Sequence, residues 1–518
     1  MALLPSTHVS VHWRGAALGD PSLWSTISLS QTPPPLLDVV LARARNQLFT
    51  IHADHPDLGH HVKLWILVDR IEELHYSASL QHMAPFLASL GPAPNLKVLH
   101  LRPESFMRIL DAQMLSSTIP TIFSGVLPSL RDVVLKETLV WPAGLFRNLT
   151  SFNCGDHSYF PISPAHVFDA ILGSPLIEFL SVVGRCGPIQ GPAIPPITLS
   201  SLKECTLAGE GTASLIRFIA VPATALVFLC RPYVSDWTTF LAEFSEHCVV
   251  PGLRTLGEVS ALSFFIDDYA ARLRARNDRG GGLDVEVDGL VDLTVDPLHF
   301  VHFMRSSFES WCTCPELKTA KDFTFFMERS ITREDGKASY SALDIIRLIS
   351  NLPGIEEAKL YGVPPLKLSP IFGFVPSGPT FRLQFPNLKR LDIVSFPLRS
   401  PRPLLVALGK LLATRKEAGA AFQSVTVRVK CKMLIPVAEH CAFLASLEGF
   451  VGGGVRLEYV QAELLSRCYL WKDDENEDED RGDEEGEEEG GEVGGPGDCV
   501  GWDGWPENWP KTTEEMKG

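Results

Sequence analysis

The octapeptide PNLKVLHL at residues 94–101 returns almost unchanged as PNLKRLDI at residues 386–393. In each, a leucine follows Pro-Asn, a second apolar residue stands three positions on, and a third two positions after that: Leu96, Leu99 and Leu101, then Leu388, Leu391 and Ile393. The closing alternation is that of a strand with one buried face. The same pattern recurs in PSLRDVVL with Leu130, Val133 and Leu135, RNLTSFNC with Leu149, Phe152 and Cys154, and SSLKECTL with Leu202, Cys205 and Leu207. It recurs more loosely in PGLRTL at Leu253 and PGIEEAKL at Ile355. Leu176 with Phe179, Leu226 with Leu229, and Phe422 with Val425 and Val427 fill the intervals, so many successive anchors stand some 24 to 34 residues apart.

A unit of that size makes one strand and a return segment, and because it cannot bury its apolar face alone, neighbours must stack. Helical returns are expected where the period changes to 3.6. PAHVFDAILGSP sets Val167, Phe168, Ile171 and Leu172 on one face, and LDIIRLISNLPG does the same with Ile345, Ile346, Leu348 and Ile349. The pattern resembles that of leucine-rich repeats, whose period is roughly 20 to 29 residues. The positions that usually carry Asn or Cys after the strand hold Glu104, Thr138, His157, Glu210 and Phe396 instead. The expected fold class is therefore α/β, an irregular leucine-rich-repeat-like solenoid over residues 51–470; a generic α/β domain whose strands follow proline is the competing reading.

Upstream lies VSVHWRGAALGDPSLWSTISL, residues 9–29. Val9, Trp13, Ala16 and Ala17 recur at the spacing of one helix face. Gly19 is expected to end that helix in the left-handed conformation, Asp20 to cap a new turn opened by Pro21, and Ser25 to Leu29 to alternate as a strand. This order, with Trp13-Arg14 and then ALGDPSLW, resembles the second half of an F-box as found in fungal F-box and leucine-rich-repeat proteins. LLDVVLARARNQLFTI, residues 36–51, continues the resemblance as a helix leading into a strand. Only Met1 to His8 precede the matching helix, so residues 1–50 read as a short helical F-box remnant and linker helix, without the first helix that docks on a Skp-family adaptor. The resemblance points to Trp13, Leu18, Pro21, Leu23 and Trp24 as its packing and adaptor-contact residues.

With 518 residues, 45% of them hydrophobic, the chain can bury a large core. Its formal net charge of -16 is concentrated at the end, where 4 basic and 19 acidic residues stand from Lys472 onward, leaving a nearly neutral body. Such a body lacks the basic footprint that nucleic-acid binding relies on. No apolar run approaches the roughly 20 residues of a spanning helix, and Met1 to Asp20 is unlike a secretory signal. The 11 scattered cysteines are an odd number, as expected of thiols in a reducing compartment. A soluble cytoplasmic or nuclear protein, with neither nucleic-acid nor membrane partners, is expected.

YAARLRARNDRGGGL, residues 269–283, reads as a basic helical run closing on a flexible glycine loop. Asp284-x-Glu286-x-Asp288 imitates the start of a calcium loop, but position 295 is Val295 and the alternation with Val285 and Val287 is that of a strand. Cys312-x-Cys314 has no second ligand pair nearby and reads as two ordinary thiols. Residues 471–518 form an acidic tail expected to be disordered, and Trp502, Trp505 and Trp509 within it suggest a short docking motif or a cap for the last repeat. No phosphate loop, nucleophile elbow or zinc-helix motif occurs, so a non-catalytic chain without cofactor or metal is expected. The resemblance implies the substrate-recognition subunit of an SCF-type (cullin-RING) ubiquitin ligase, joined to its cullin through the adaptor and holding a target protein on the repeat face. A repeat scaffold that has lost adaptor binding is the alternative.

Overall fold

The computed structural model describes residues 11–459 apart from 55, 57, 104–120, 137–140, 156–161, 188–194, 210, 232–248, 267–269, 289–313, 328–348, 350–351, 363–371, 378–379, 395–401, 430–441, 443, 446 and 448. It is an α/β chain dominated by one large, mostly parallel sheet of 17 strands.

The first seven strands pair in chain order, each parallel to the last: β1 (Thr26–Ser28), β2 (Phe49–Asp54), β3 (Ile71–Ala78), β4 (Val98–Pro103), β5 (Asp132–Leu135), β6 (Ser151–Gly155) and β7 (Phe179–Val183). β8 (Ile197–Thr198) stands aside with β10 (Ile219–Ala220), whereas β9 (Glu204–Ala208) follows β7 and is followed by β11 (Leu226–Arg231). β12 (Ala261–Ile266), β13 (Ala270–Arg276) and β14 (Gly282–Asp288) make an antiparallel meander that enters the sheet in reverse, β14 lying parallel to β11. β15 (Asp322–Met327) continues from β12, and β16 (Glu357–Tyr361) continues from β15. β17 (Phe374–Ser377) and β18 (Thr380–Leu383) form a separate hairpin. β19 (Arg390–Val394), β20 (Ser424–Val429) and β21 (Val455–Tyr459) complete the main sheet in parallel.

Parallel neighbours need a crossover of a dozen or more residues, and the recurrence of the Pro-x-Leu octapeptide supplies one strand per crossover. The three apolar positions of each octapeptide go inward: Leu96, Leu99 and Leu101, Leu130, Val133 and Leu135, and Leu388, Leu391 and Ile393 are all buried in one continuous core. The polar residues of the motif tie each unit to the one before it. Asn95 Nδ2 donates to the Asp69 carbonyl at 2.7 Å, Ser129 Oγ to that of Pro94 at 2.6 Å, and Asn387 Nδ2 to that of Pro353 at 2.7 Å. The lysine after the leucine makes an equivalent ion pair each time: Lys97 with Glu72, Lys203 with Glu178 and Lys389 with Glu356. These pairs are solvated and each contributes little; the backbone bonds beside them, such as Lys97 N to Glu72 O at 2.7 Å and Lys389 N to Glu356 O at 2.8 Å, tie neighbouring strands together.

Several expectations are corrected. PGLRTL is not a strand but most of the helix Val250–Leu256, with Leu253 buried; it lacks the third alternating apolar residue. In the β7 unit Leu176 and Phe179 are exposed, and Ile177, Leu180 and Val182 fill the core, so the sequence register was off by one. In the helix Pro164–Leu172 the buried set is Val167, Phe168, Ala170 and Ile171, while Leu172 is exposed. Of the run 269–283, the described residues 270–283 hold no helix: Arg272, Arg274 and Arg276 alternate with Leu273 and Ala275 along β13. The arginines are accepted on a strand because Asp284 and Glu286 of β14 stand opposite them, which also makes 284–288 the strand its alternation implied. Ile345, Ile346 and Leu348 lie outside the described residues, as do the positions of Glu104, Thr138, His157, Glu210 and Phe396.

Candidate functional site

At the N-terminal end the helix Val11–Gly19 and the 3-10 turn Pro21–Trp24 lead directly into β1. Asp20 caps the turn, its carboxylate accepting from Ser22 Oγ at 2.8 Å and from Ser22 N at 3.0 Å, and those two bonds, the hydroxyl's first, hold its pKa below the usual carboxylate value. Gly19 is not left-handed; the helix runs through it to the cap. Trp24 is 6% exposed and packs into the core beneath the Arg43 guanidinium, 4.8 Å from the ring centre. Leu18 and Leu23 are 37% and 41% exposed, and Pro21 is half-buried. Trp13 lies in the helix, with its side chain outside the described part. The five residues therefore do not share one surface: Trp24 is core, and Leu18 and Leu23 face solvent. Trp502, Trp505 and Trp509 lie outside the described residues, as does Cys312; Cys314 is buried, and burial pushes its thiol pKa up.

The larger candidate is the face of the sheet turned away from the core. Strand register lines up one residue from each strand across it. From β1 the row runs Ser28, His52, His75, His100, Val134 and Asn153, then Ser181, Thr206 and Phe228. From β14 it continues as Asp284, Arg274, Ser263, Thr324, Lys359 and Asp392. Apart from Val134 and Phe228 the first half is polar and holds no Lys, Arg, Asp or Glu, whereas the second half carries Asp284, Arg274, Lys359 and Asp392.

In the second half the charges neutralise one another. Arg276 grips Asp284 with Nη2 to Oδ2 at 2.7 Å, Arg274 Nε donates to Oδ1 at 3.1 Å, and Arg272 Nε donates to Glu286 at 2.7 Å. Asp284 is 1% exposed, so this is a buried carboxylate held by two guanidiniums. Arg428 bridges Asp392 and Glu458, and Arg390 pairs with Glu357. Phe265 and Phe326 stack at 4.7 Å between centroids, with Tyr361 6.0 Å beyond, so an aromatic strip runs beside the lattice.

In the first half three imidazoles stand side by side on β2, β3 and β4. His52 and His75 stack at 4.5 Å and His75 and His100 meet edge-on at 4.3 Å. Two charges at about that spacing repel by about 1 kcal/mol in water and about 4 kcal/mol at an effective dielectric of 20. Burial and that mutual repulsion hold His75 and His100 below the ordinary 6.5, with Glu73 and Asp132 pulling the other way. Because the folded values are depressed, the unfolded chain binds more protons below pH 6.5. Stability present above that pH is expected to decline as the pH falls through the two folded values, and His75→Gln to flatten the decline; urea midpoints between pH 7.5 and pH 5 measure it. The sequence reading missed this row. Its signal is an imidazole directly after a core aliphatic in three strands, Ile51-His52, Leu74-His75 and Leu99-His100.

Among the described residues no three His, Cys, Asp or Glu side chains converge as a metal-ligand set, and no helix is long and apolar enough to cross a membrane. Comparison with known proteins finds no match: no family model, no curated protein and no solved structure.

Proposed function

We propose that the chain is a recognition protein in which stacked leucine-rich-repeat-like units form an irregular solenoid, and that it serves an SCF-type ubiquitin ligase as the subunit that holds the target. The observation that carries this reading is the single register row: strands from across the chain present one residue each, in chain order except for the reversed β12–β14 meander, on a largely polar face opposite a continuous core. A surface assembled one residue per unit suits an extended protein segment. Such a subunit does no chemistry; it raises the effective concentration of a target lysine beside a charged conjugating enzyme.

The N-terminal helix and capped turn support attachment to a Skp-family adaptor, through the solvent-facing Leu18 and Leu23 rather than through Trp24. The full chain is expected to capture purified adaptor, and Leu18→Glu with Leu23→Glu to abolish capture without changing the melting temperature. Adaptor retained by that double variant, or never captured by the full chain, would count against attachment. A second reading, a scaffold without adaptor binding, draws support from β1: Thr26, Ile27 and Ser28 pair with Thr50, Ile51 and His52, so the segment is built into the sheet as its edge.

A further inference from the structure

We propose that the His52, His75 and His100 row is a proton-operated selector for a basic side chain, a lysine or arginine carried by a bound protein segment. Two carboxylates flank the imidazoles on the same face. Glu73 stands one register row below His75 with Nε2 to Oε2 at 3.9 Å, and Asp132 occupies the equivalent position on β5. Asp132 Oδ1 is buried and has no hydrogen-bond partner among the described residues. The remaining polar and charged groups of these strands on that face are Thr50 beside Glu73 on β2, Asp54 and Ser77 at the far end of β2 and β3, Arg102 at the far end of β4, and Lys136 just beyond β5. The near end, with Glu73 and Asp132, is thus acidic while the imidazoles are neutral, and the neutral imidazoles add acceptor nitrogens beside the carboxylates.

A partner's ammonium or guanidinium supplies the missing positive charge. On acidification His75 and His100 supply it themselves, pairing with the same two carboxylates and repelling the incoming cation. Proton and basic side chain therefore compete for one site, and linkage requires the affinity to fall as protons load. An anionic partner would show the opposite dependence. The proposal rests on the polar face being the docking surface and is independent of adaptor attachment.

The test uses the full chain labelled with carbon-13 at the imidazole Cε1 positions, the three signals assigned by deleting each in turn with His→Gln. The probe is an acetylated tri-lysine peptide, with tri-glutamate as counter-probe. Tri-lysine is expected to move the three signals at pH 7.5 and to bind about tenfold more weakly at pH 5.5. Glu73→Gln with Asp132→Asn should remove that response while the other histidine signals keep their positions. Signals that ignore tri-lysine at pH 7.5, that respond as strongly at pH 5.5, or that follow tri-glutamate instead would each overturn the proposal. Adaptor capture is read separately, so its loss beside an intact tri-lysine response would overturn only the ligase reading.

Discussion

Arg415→Leu is expected to lower stability by about 3 to 5 kcal/mol, seen as a fall in the urea midpoint with the slope of the transition retained. Arg415 closes the helix Arg402–Glu417, is 0% exposed and has carbonyl oxygens for partners. Its Nη1 donates to Gln384 O and its Nη2 to Phe385 O, each at 2.9 Å; Nε reaches Ala420 O at 3.2 Å. Longer bonds run to Phe372 O and Leu388 O, and the guanidinium lies 4.5 Å from the centre of the Phe422 ring. Burial pushes its pKa down to about 10, so it remains charged at neutral pH. The carbonyls need it because the chain at Gln384–Phe385 turns inward, with Phe385 at φ 48, and a leucine of similar bulk would leave them buried and unpaired. Arg415→Lys keeps the charge but replaces a planar fork by one donor atom, so it should cost less than leucine and still be measurable. Equal midpoints for all three proteins would show the carbonyls to be satisfied by water.

Little of this was legible in the sequence. LLATRKEAG reads as the last turn of a helix with cations on its solvated end, where they complement the helix dipole. Lys416 behaves so, reaching the exposed carbonyl of Gly449 at 2.7 Å, while its neighbour goes into the core. The difference lies in the inward carbonyls of residues some thirty positions earlier, which no local pattern announces. The strands, by contrast, were legible wherever Pro-x-Leu preceded two alternating apolar residues, because the burial of one face dictates both element and register. The reading failed where the pattern had one possible anchor too many, as at Leu176 and Ile177. It failed again where charge suggested a solvated helix although Arg272, Arg274 and Arg276 alternate along a strand and each pairs with an acid of the neighbouring strand. The histidine row escaped because each imidazole looks like an ordinary polar residue of its own strand; only parallel register brings the three together.

The absence of Asn or Cys after each strand suggested irregular turns, yet glycine closes several strands in the same way. β6 ends at Gly155 with φ +98, Gly184 follows β7 with φ +127, Gly209 follows β9 with φ +117, and Gly362 follows β16 with φ +76. Gly184 N donates to Ala208 O at 2.7 Å, Gly209 N to Cys230 O at 2.8 Å and Gly362 N to Val394 O at 3.0 Å, so each glycine ties its strand end to the next strand. At Gly209 a Cβ would lie 2.1 Å from Gly184 O, and at Gly155 one would lie 1.7 Å from Val183 O. Backbone oxygens of neighbouring strands cannot retreat without breaking those ties. Gly209→Ala is therefore expected to destabilise by about 2 to 4 kcal/mol, combining left-handed strain with the clash. Gly15→Ala is the control, since nothing lies within 4 Å of its Cβ position and alanine is favoured in a helix by roughly 0.5 to 1 kcal/mol. The two variants should move the urea midpoint in opposite directions. If Gly209→Ala instead leaves it in place, the strand ends are free to part, and the register that aligns His52, His75 and His100 must be held by the core alone.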